Sequence, residues 1–159
     1  MATEELYALL LPLEGTRLLL PNAVIAEVVS YTSPQPAGGD REWFLGEVHW
    51  QGQQVPLVSF EALCGRAVPA VTPRARVAIL YAITGATDDN YIGIVTEGHP
   101  HLVRLQRDIL VHERSDKDPD SPILSRVRIA NAEALIPNVE MIENAVARQR
   151  KLVPAGSQA

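Results

Sequence analysis

The residues best spaced for chemistry are Glu97-Gly98-His99-Pro100-His101. In an extended segment alternate residues share a face, so Glu97, His99 and His101 would point together. One carboxylate and two imidazoles could then hold zinc or work as an acid–base set, with His49 or His112 as a fourth group. Gly98 and Pro100 count against this, since both disrupt a regular strand. The plainer reading is an exposed turn with two surface histidines. Cys64 is the only cysteine, so an internal disulfide and a Cys-rich zinc site are both excluded. A thiol is activated by a helix N-terminus or a nearby cation. Cys64 falls at the other end of a short expected helix and reads as a packed thiol. Asp116-Lys117-Asp118-Pro119-Asp120 alternates like a calcium loop but lacks its glycine and closing glutamate. Like Glu4-Glu5 and Asp88-Asp89, it reads as a solvated acidic stretch. No Gly-x-Ser-x-Gly elbow and no phosphate-cradling glycine loop occurs. The expectation is a module that works by contact, not an enzyme, with no metal and no cofactor; the alternatives are the metal-dependent enzyme at Glu97, His99 and His101 and a free-standing β-barrel that binds a small ligand.

Positioning such a surface requires a core, and 159 residues can bury roughly 70% of the surface the unfolded chain exposes. Hydrophobic residues make up 47% and charged residues 21%, near the globular average, which argues against disorder, collagen and coiled coil. The net charge of -5 disfavours a phosphate backbone as partner, so no nucleic acid is expected. The apolar run Val77 to Ile83 is far short of the roughly 20 residues that span a bilayer, and Met1 to Glu5 carries acids where a signal peptide is basic. A cytoplasmic protein with no direct membrane insertion is expected, and the lone cysteine suits a reducing compartment.

The apolar segments are short and rich in Leu, Val and Ile. Tyr7 to Leu13 and Arg17 to Leu20 read as a hairpin about Glu14-Gly15, and Ala23 to Ser30 as a further strand. Thr32 to Glu42 is a loop by composition. Trp43 to His49 and Val55 to Val58 form a second hairpin around Gly52. Ser59 caps a short helix, Phe60 to Cys64, with Gly65 past its end. Arg66 to Arg76 is a Pro-rich connector and the expected passage between two lobes. Val77 to Ile83 and Tyr91 to Glu97 pair across a polar turn. Leu102 to Leu105 and Ile109 to Val111 are short strands, and His112 to Pro122 is expected to be an exposed, mobile loop. Ile123 to Ile129 and Ala134 to Ile136 form a last strand pair. Asn138 then caps a helix with Val139, Ile142, Ala145 and Val146 on one face and Arg148, Arg150 and Lys151 in its last turn. The tail 153–159 is expected to be disordered. About ten short strands with one or two helices point to barrels or a sandwich.

Three segments in register resemble the CheW-like domain, the adaptor of bacterial chemosensory arrays. The first is Leu18 to Val28, whose Ile25-Ala26-Glu27-Val28 is similar to the family's Val-x-Glu-Val/Ile strand. The second runs from Leu45 to Phe60 and carries Gly46 and Gly52, followed by Val55-Pro56-Leu57-Val58 and a short helix. The third is Ile92-Gly93-Ile94-Val95-Thr96-Glu97-Gly98. The resemblance covers about Tyr7 to Ala147. It implies a mainly β fold of two small five-stranded SH3-like barrels packed together, with short helices and a C-terminal helix. It implies one such domain over residues 1–152. It also implies no catalysis, and two partners: the regulatory domain of a CheA-type histidine kinase and the cytoplasmic tip of a chemoreceptor. Carried over by position, Ile25, Glu27 and Val28 match a strand near those contacts, Gly46 and Gly52 shape the central hairpin, and Gly93 belongs to the second lobe. Core packing is an equal reading for Ile25 and Val28. Glu27, a charge in an apolar strand, must lie at a surface, be paired or reach a partner. The chain departs from the family at Gln51, where the family has Arg, losing a fixed charge and a donor fork. Trp50 beside it is a candidate contact residue. These departures most resemble adaptors of the type IV pilus (twitching motility) chemosensory system, of the ChpC or PilI type.

Overall fold

The computed structural model describes residues 6–36, 41–105, 110–115, 118–129 and 131–152. The strands are β1 (Leu6–Leu13), β2 (Thr16–Pro21), β3 (Ile25–Ser30), β4 (Phe44–Trp50), β5 (Gln53–Val58), β6 (Arg76–Tyr81), β7 (Tyr91–Thr96), β8 (His101–Leu105), β9 (Leu110–Ser115), β10 (Ile123–Ile129) and β11 (Ala132–Pro137). A short helix α1 (Phe60–Leu63) follows β5, and α2 (Val139–Leu152) follows β11. The strands form two sheets, ordered β8-β1-β2-β11-β10-β9 and β3-β6-β7-β5-β4. This is the mainly β, two-lobed fold the sequence implies, with six strands rather than five in the first sheet.

The sheets curl. Only four residues separate the ends of β8 and β9, the two edges of the first sheet. Five steps of chain reach about 18 Å, whereas a flat six-stranded sheet is about 24 Å across. In the second sheet the chain that follows edge strand β3 reaches the opposite edge, β4. Just beyond β3, Gln35 forms an isolated bridge to Glu47 of β4, through Gln35 N to Glu47 O at 2.8 Å and Glu47 N to Gln35 O at 2.9 Å.

Period-two alternation sorts the side chains into three cores. Ala8, Leu10, Leu19, Val127, Ile129 and Ala134 fill the first lobe. Val48, Val55, Leu57, Val77 and Ile79 fill the second. The alternate residues of the same strands, among them Leu11, Leu18, Ala78, Leu80, Ile92 and Ile94, meet between the lobes with Phe60 and with Ile142 and Val146 of α2. Strands buried on both faces must read as continuous apolar runs, which is how Tyr7 to Leu13 and Val77 to Ile83 look in the sequence.

Both helix caps are as expected: the Ser59 hydroxyl accepts from Ala62 N at 3.3 Å, and Asn138 Oδ1 accepts from Met141 N at 3.1 Å. The expected face of α2 is buried at Ile142, Ala145 and Val146. Two expectations need correction. The chain does not pass between lobes at 66–76, because that connector joins α1 to β6 within one lobe. It crosses at Asn22–Val24 and returns between β7 and β8. The second lobe is thus one continuous stretch, β3 to β7, inserted between the two stretches that build the first, which a composition shift cannot reveal. Second, His112 to Ser115 is not loop but the end of β9, its backbone paired to β10. Backbone bonding holds an edge strand whatever its side chains, and polar residues suit an edge. The tail 153–159, Met1 to Glu5, Ile109 and Asp116 lie outside the described residues.

Candidate functional site

Glu27 and Trp50 sit on opposite edges of the second sheet, and its curl brings them together. Trp50 Nε1 donates to Glu27 Oε2 at 2.8 Å. The contact spans the seam between β3 and β4 and answers how a charge is carried in an apolar strand: Glu27 is exposed and hydrogen-bonded at the barrel's end. Trp50 is half-buried, edge-on to Tyr91 with centroids 4.7 Å apart, and Tyr91 in turn lies 5.6 Å from Tyr81. Tyr81 and Tyr91 are cross-strand partners at the ends of β6 and β7. They share the inward-facing register of Ile79 and Gly93, so they close the mouth of the barrel.

Gln51 and Gly52 form the turn that follows Trp50. Their φ values of 50° and 74° are those of a two-residue type I′ hairpin, with Trp50 and Gln53 as the flanking pair. Both are exposed, and a side chain at Gly52 would meet open space. Gly46 lies at the far end of β4, where the closing bridge passes. An added Cβ there would sit 2.2 Å from the Gln35 carbonyl oxygen. Gly93 is buried, with a Cβ position 3.0 Å from both Leu57 and Val77. Ile25 and Val28 are half-buried and pack on the core between the lobes. The structure thus joins Glu27, Trp50, Gln51 and Gly52 in one surface region. It places Gly46 and Gly93 where they shape the barrel.

Among the described residues the histidine motif does not form a metal-holding group. His99 Nε2 lies 2.9 Å from an Arg76 guanidinium nitrogen, so the lone pair a metal would take faces a donor. His99 and His101 are exposed while Glu97 is half-buried. No group of three His, Cys, Asp or Glu among the described residues is placed to hold an ion. Glu97 instead faces Glu61 and Glu14. Burial first, then the charges of Glu61 and Glu14, pushes its carboxyl up. An acid whose folded pKa is raised opposes folding once ionised, so its stability contribution is present at low pH and lost as pH rises through the raised value. Glu97→Gln is therefore expected to melt above wild type at pH 8. The advantage should shrink below the ordinary glutamate range, where wild-type Glu97 is already protonated; thermal melts across pH check this. Burial also pushes the Cys64 thiol up, outweighing Arg126 and Arg66, the reverse of what a nucleophile needs.

Other features were missed because their partners are distant in sequence. Arg150 of α2 does more than meet the helix dipole. It bonds Asp89 at 2.8 and 3.1 Å, pairs with Glu47, and lies 5.7 Å over the Phe44 ring. Glu143, fully buried, accepts from Ile83 N, Thr84 N and Thr84 Oγ1 at 3.3, 3.1 and 2.9 Å. Together they fix α2 to the second lobe. An apolar cleft of ≈ 140 Å³ opens at the barrel's other end, between Tyr31, Leu45 and Val95 and the connector residues Val68 and Val71. A more polar cleft of ≈ 340 Å³ lies by Cys64, Arg66 and Arg126. No helix among the described residues is long and apolar enough to cross a membrane.

Comparison with known proteins follows the same lines. The sequence model of the CheW-like domain family matches residues 8–146. The structure is similar to that of the scaffolding protein TtCheW from Thermoanaerobacter tengcongensis, with a TM-score of 0.69 over 86% of each chain at 11% identity. No curated protein sequence matches the chain.

Proposed function

The chain belongs to the CheW-like domain family, and from that premise we propose that it is a non-catalytic adaptor coupling the cytoplasmic tip of a chemoreceptor to the regulatory domain of a CheA-type histidine kinase. The observation that carries this reading is the closed second barrel with Glu27, Trp50, Gln51 and Gly52 gathered at its exposed mouth. Trp and Tyr are enriched at contact hot spots. Two lobes fixed to each other by a shared core offer two faces at constant geometry, which is what a scaffold needs. The contact of His99 with Arg76 and the raised Cys64 thiol do not favour a competing chemistry at either residue. The type IV pilus (twitching) system is the proposed setting. The neutral Gln51 and the adjacent Trp50, both departures from the usual family pattern, support that narrower assignment.

The test is reconstitution from purified parts: this chain, the array kinase of the same organism, and a soluble receptor fragment containing the tip. Kinase activity should respond to the receptor fragment only when the chain is present. A response of equal size without the chain would refute the coupling role.

A further inference from the structure

Glu27, Trp50, Tyr81 and Tyr91 have a composition that their packing does not use up. One carboxylate oxygen of Glu27 accepts from Trp50 at 2.8 Å. Among the described residues no Lys or Arg is bonded to Glu27, and Oε1 has no hydrogen-bond donor. The three rings are tilted against each other, by 71° for Trp50 and Tyr91 and by 42° for Tyr81 and Tyr91. Tyr81 is 44% exposed. The turn residue beside them, Gln51, is neutral and exposed. Aromatic faces carry negative potential, and a fixed carboxylate at their edge adds to it. The complement of such a surface is a cation with a flat face.

We propose that these four residues form a seat for an arginine side chain presented by the protein that docks on this mouth. The proposal rests on the adaptor reading for the identity of that protein, not for the chemistry of the seat. A guanidinium fits better than an ammonium. It can stack on Tyr81 or Tyr91 while its N–H fork reaches the free oxygen of Glu27. A side chain delivered by a protein fits better than a free small cation, because the cluster is open and lines neither of the two clefts described above. The indole N–H of Trp50 holds the carboxylate in place before the partner arrives, so little ordering is left to do on binding.

The test uses the full chain and the indole N–H signals of its two tryptophans in an NMR titration. The probe is N-acetyl-arginine methylamide, with the citrulline analogue as its neutral isostere. Trp50 should shift saturably at millimolar arginine probe while Trp43 stays still, and citrulline should do nothing. Glu27→Gln keeps an acceptor for the indole but removes the charge, and it should weaken the probe about ten-fold with an unchanged melting temperature. Equal shifts with citrulline, or no effect of Glu27→Gln, would overturn the seat. Tighter binding of tetramethylammonium than of arginine would also overturn it, in favour of a small-cation site. A second arm measures wild type and Glu27→Gln against the kinase regulatory domain and the receptor tip. About ten-fold weaker binding of one partner by the variant supports the seat. Equal binding of wild type and variant overturns it and leaves the adaptor reading intact. If neither partner binds while the arginine probe does, the seat stands and the adaptor reading fails.

Discussion

Gly46→Ala is expected to destabilise the protein by about 3–5 kcal/mol, although it adds only a methyl group. Two costs combine. Gly46 has φ of 129°, a region L side chains rarely adopt, and holding a non-glycine residue there costs about 1–3 kcal/mol. The new Cβ would also lie 2.2 Å from the Gln35 carbonyl oxygen, so the strands must part. Parting them strains or breaks the two hydrogen bonds between Gln35 and Glu47, each worth roughly 0.5–1.5 kcal/mol. The obstacle is backbone on a closing seam and has no rotamer to escape into. Gly52→Ala is the control. It too needs a positive φ, but nothing lies within 4 Å of its Cβ position, so its cost should stay near 1 kcal/mol. Urea unfolding of both variants separates the two. Similar losses at the two positions would mean the bridge does not close the barrel.

Phe60→Ala is the second large effect, expected at about 3–5 kcal/mol. Phe60 is 1% exposed and lies between the lobes, among Leu11, Leu18, Phe44, Val58, Ile94 and Ile142. Its helix has four residues and cannot hold itself together without that burial. The cavity would be felt by both lobes, because strands from each contribute to the same core. We therefore expect residues 1–152 to behave as one domain. Tryptophan fluorescence, which reports the second lobe through Trp43 and Trp50, and far-ultraviolet circular dichroism, which reports the strands of both lobes, should show one coincident transition in wild type and variant alike. Two separated transitions would show that the lobes fold independently.

Much of the fold was legible because its code is local. Short apolar runs, the Ser59 and Asn138 caps and the turn at Gln51-Gly52 each depend on a few neighbouring residues, and each stands close to where the sequence puts it. What a single sequence hides is which alternate residue serves which core. In β6, Val77 and Ile79 point into the barrel while Ala78 and Leu80 point between the lobes, and a continuous apolar run reads the same in either register. The connector at 66–76 misled for a related reason: prolines mark a loop, not a change of lobe. The candidate site was legible in part. Glu27 and Trp50 stand out individually, one as a charge in an apolar strand and the other as an indole at a turn. Their bond joins residues 23 apart in sequence and exists only because the sheet closes. Tyr81 and Tyr91 gave no signal, since a tyrosine ending a strand is ordinary until its neighbours are known. Arg150 read as a cation in a last helical turn, and its partner Glu47 is 103 residues away.

The central claim, that the mouth of the second barrel is a protein contact surface, is tested most directly by calorimetry of the purified chain against the kinase regulatory domain of its own organism. Saturable one-to-one binding is expected, and Glu27→Lys should abolish it while leaving the melting temperature within a few degrees of wild type. Binding that is equally strong in Glu27→Lys, or absent at high micromolar concentration with the fold intact, would contradict it.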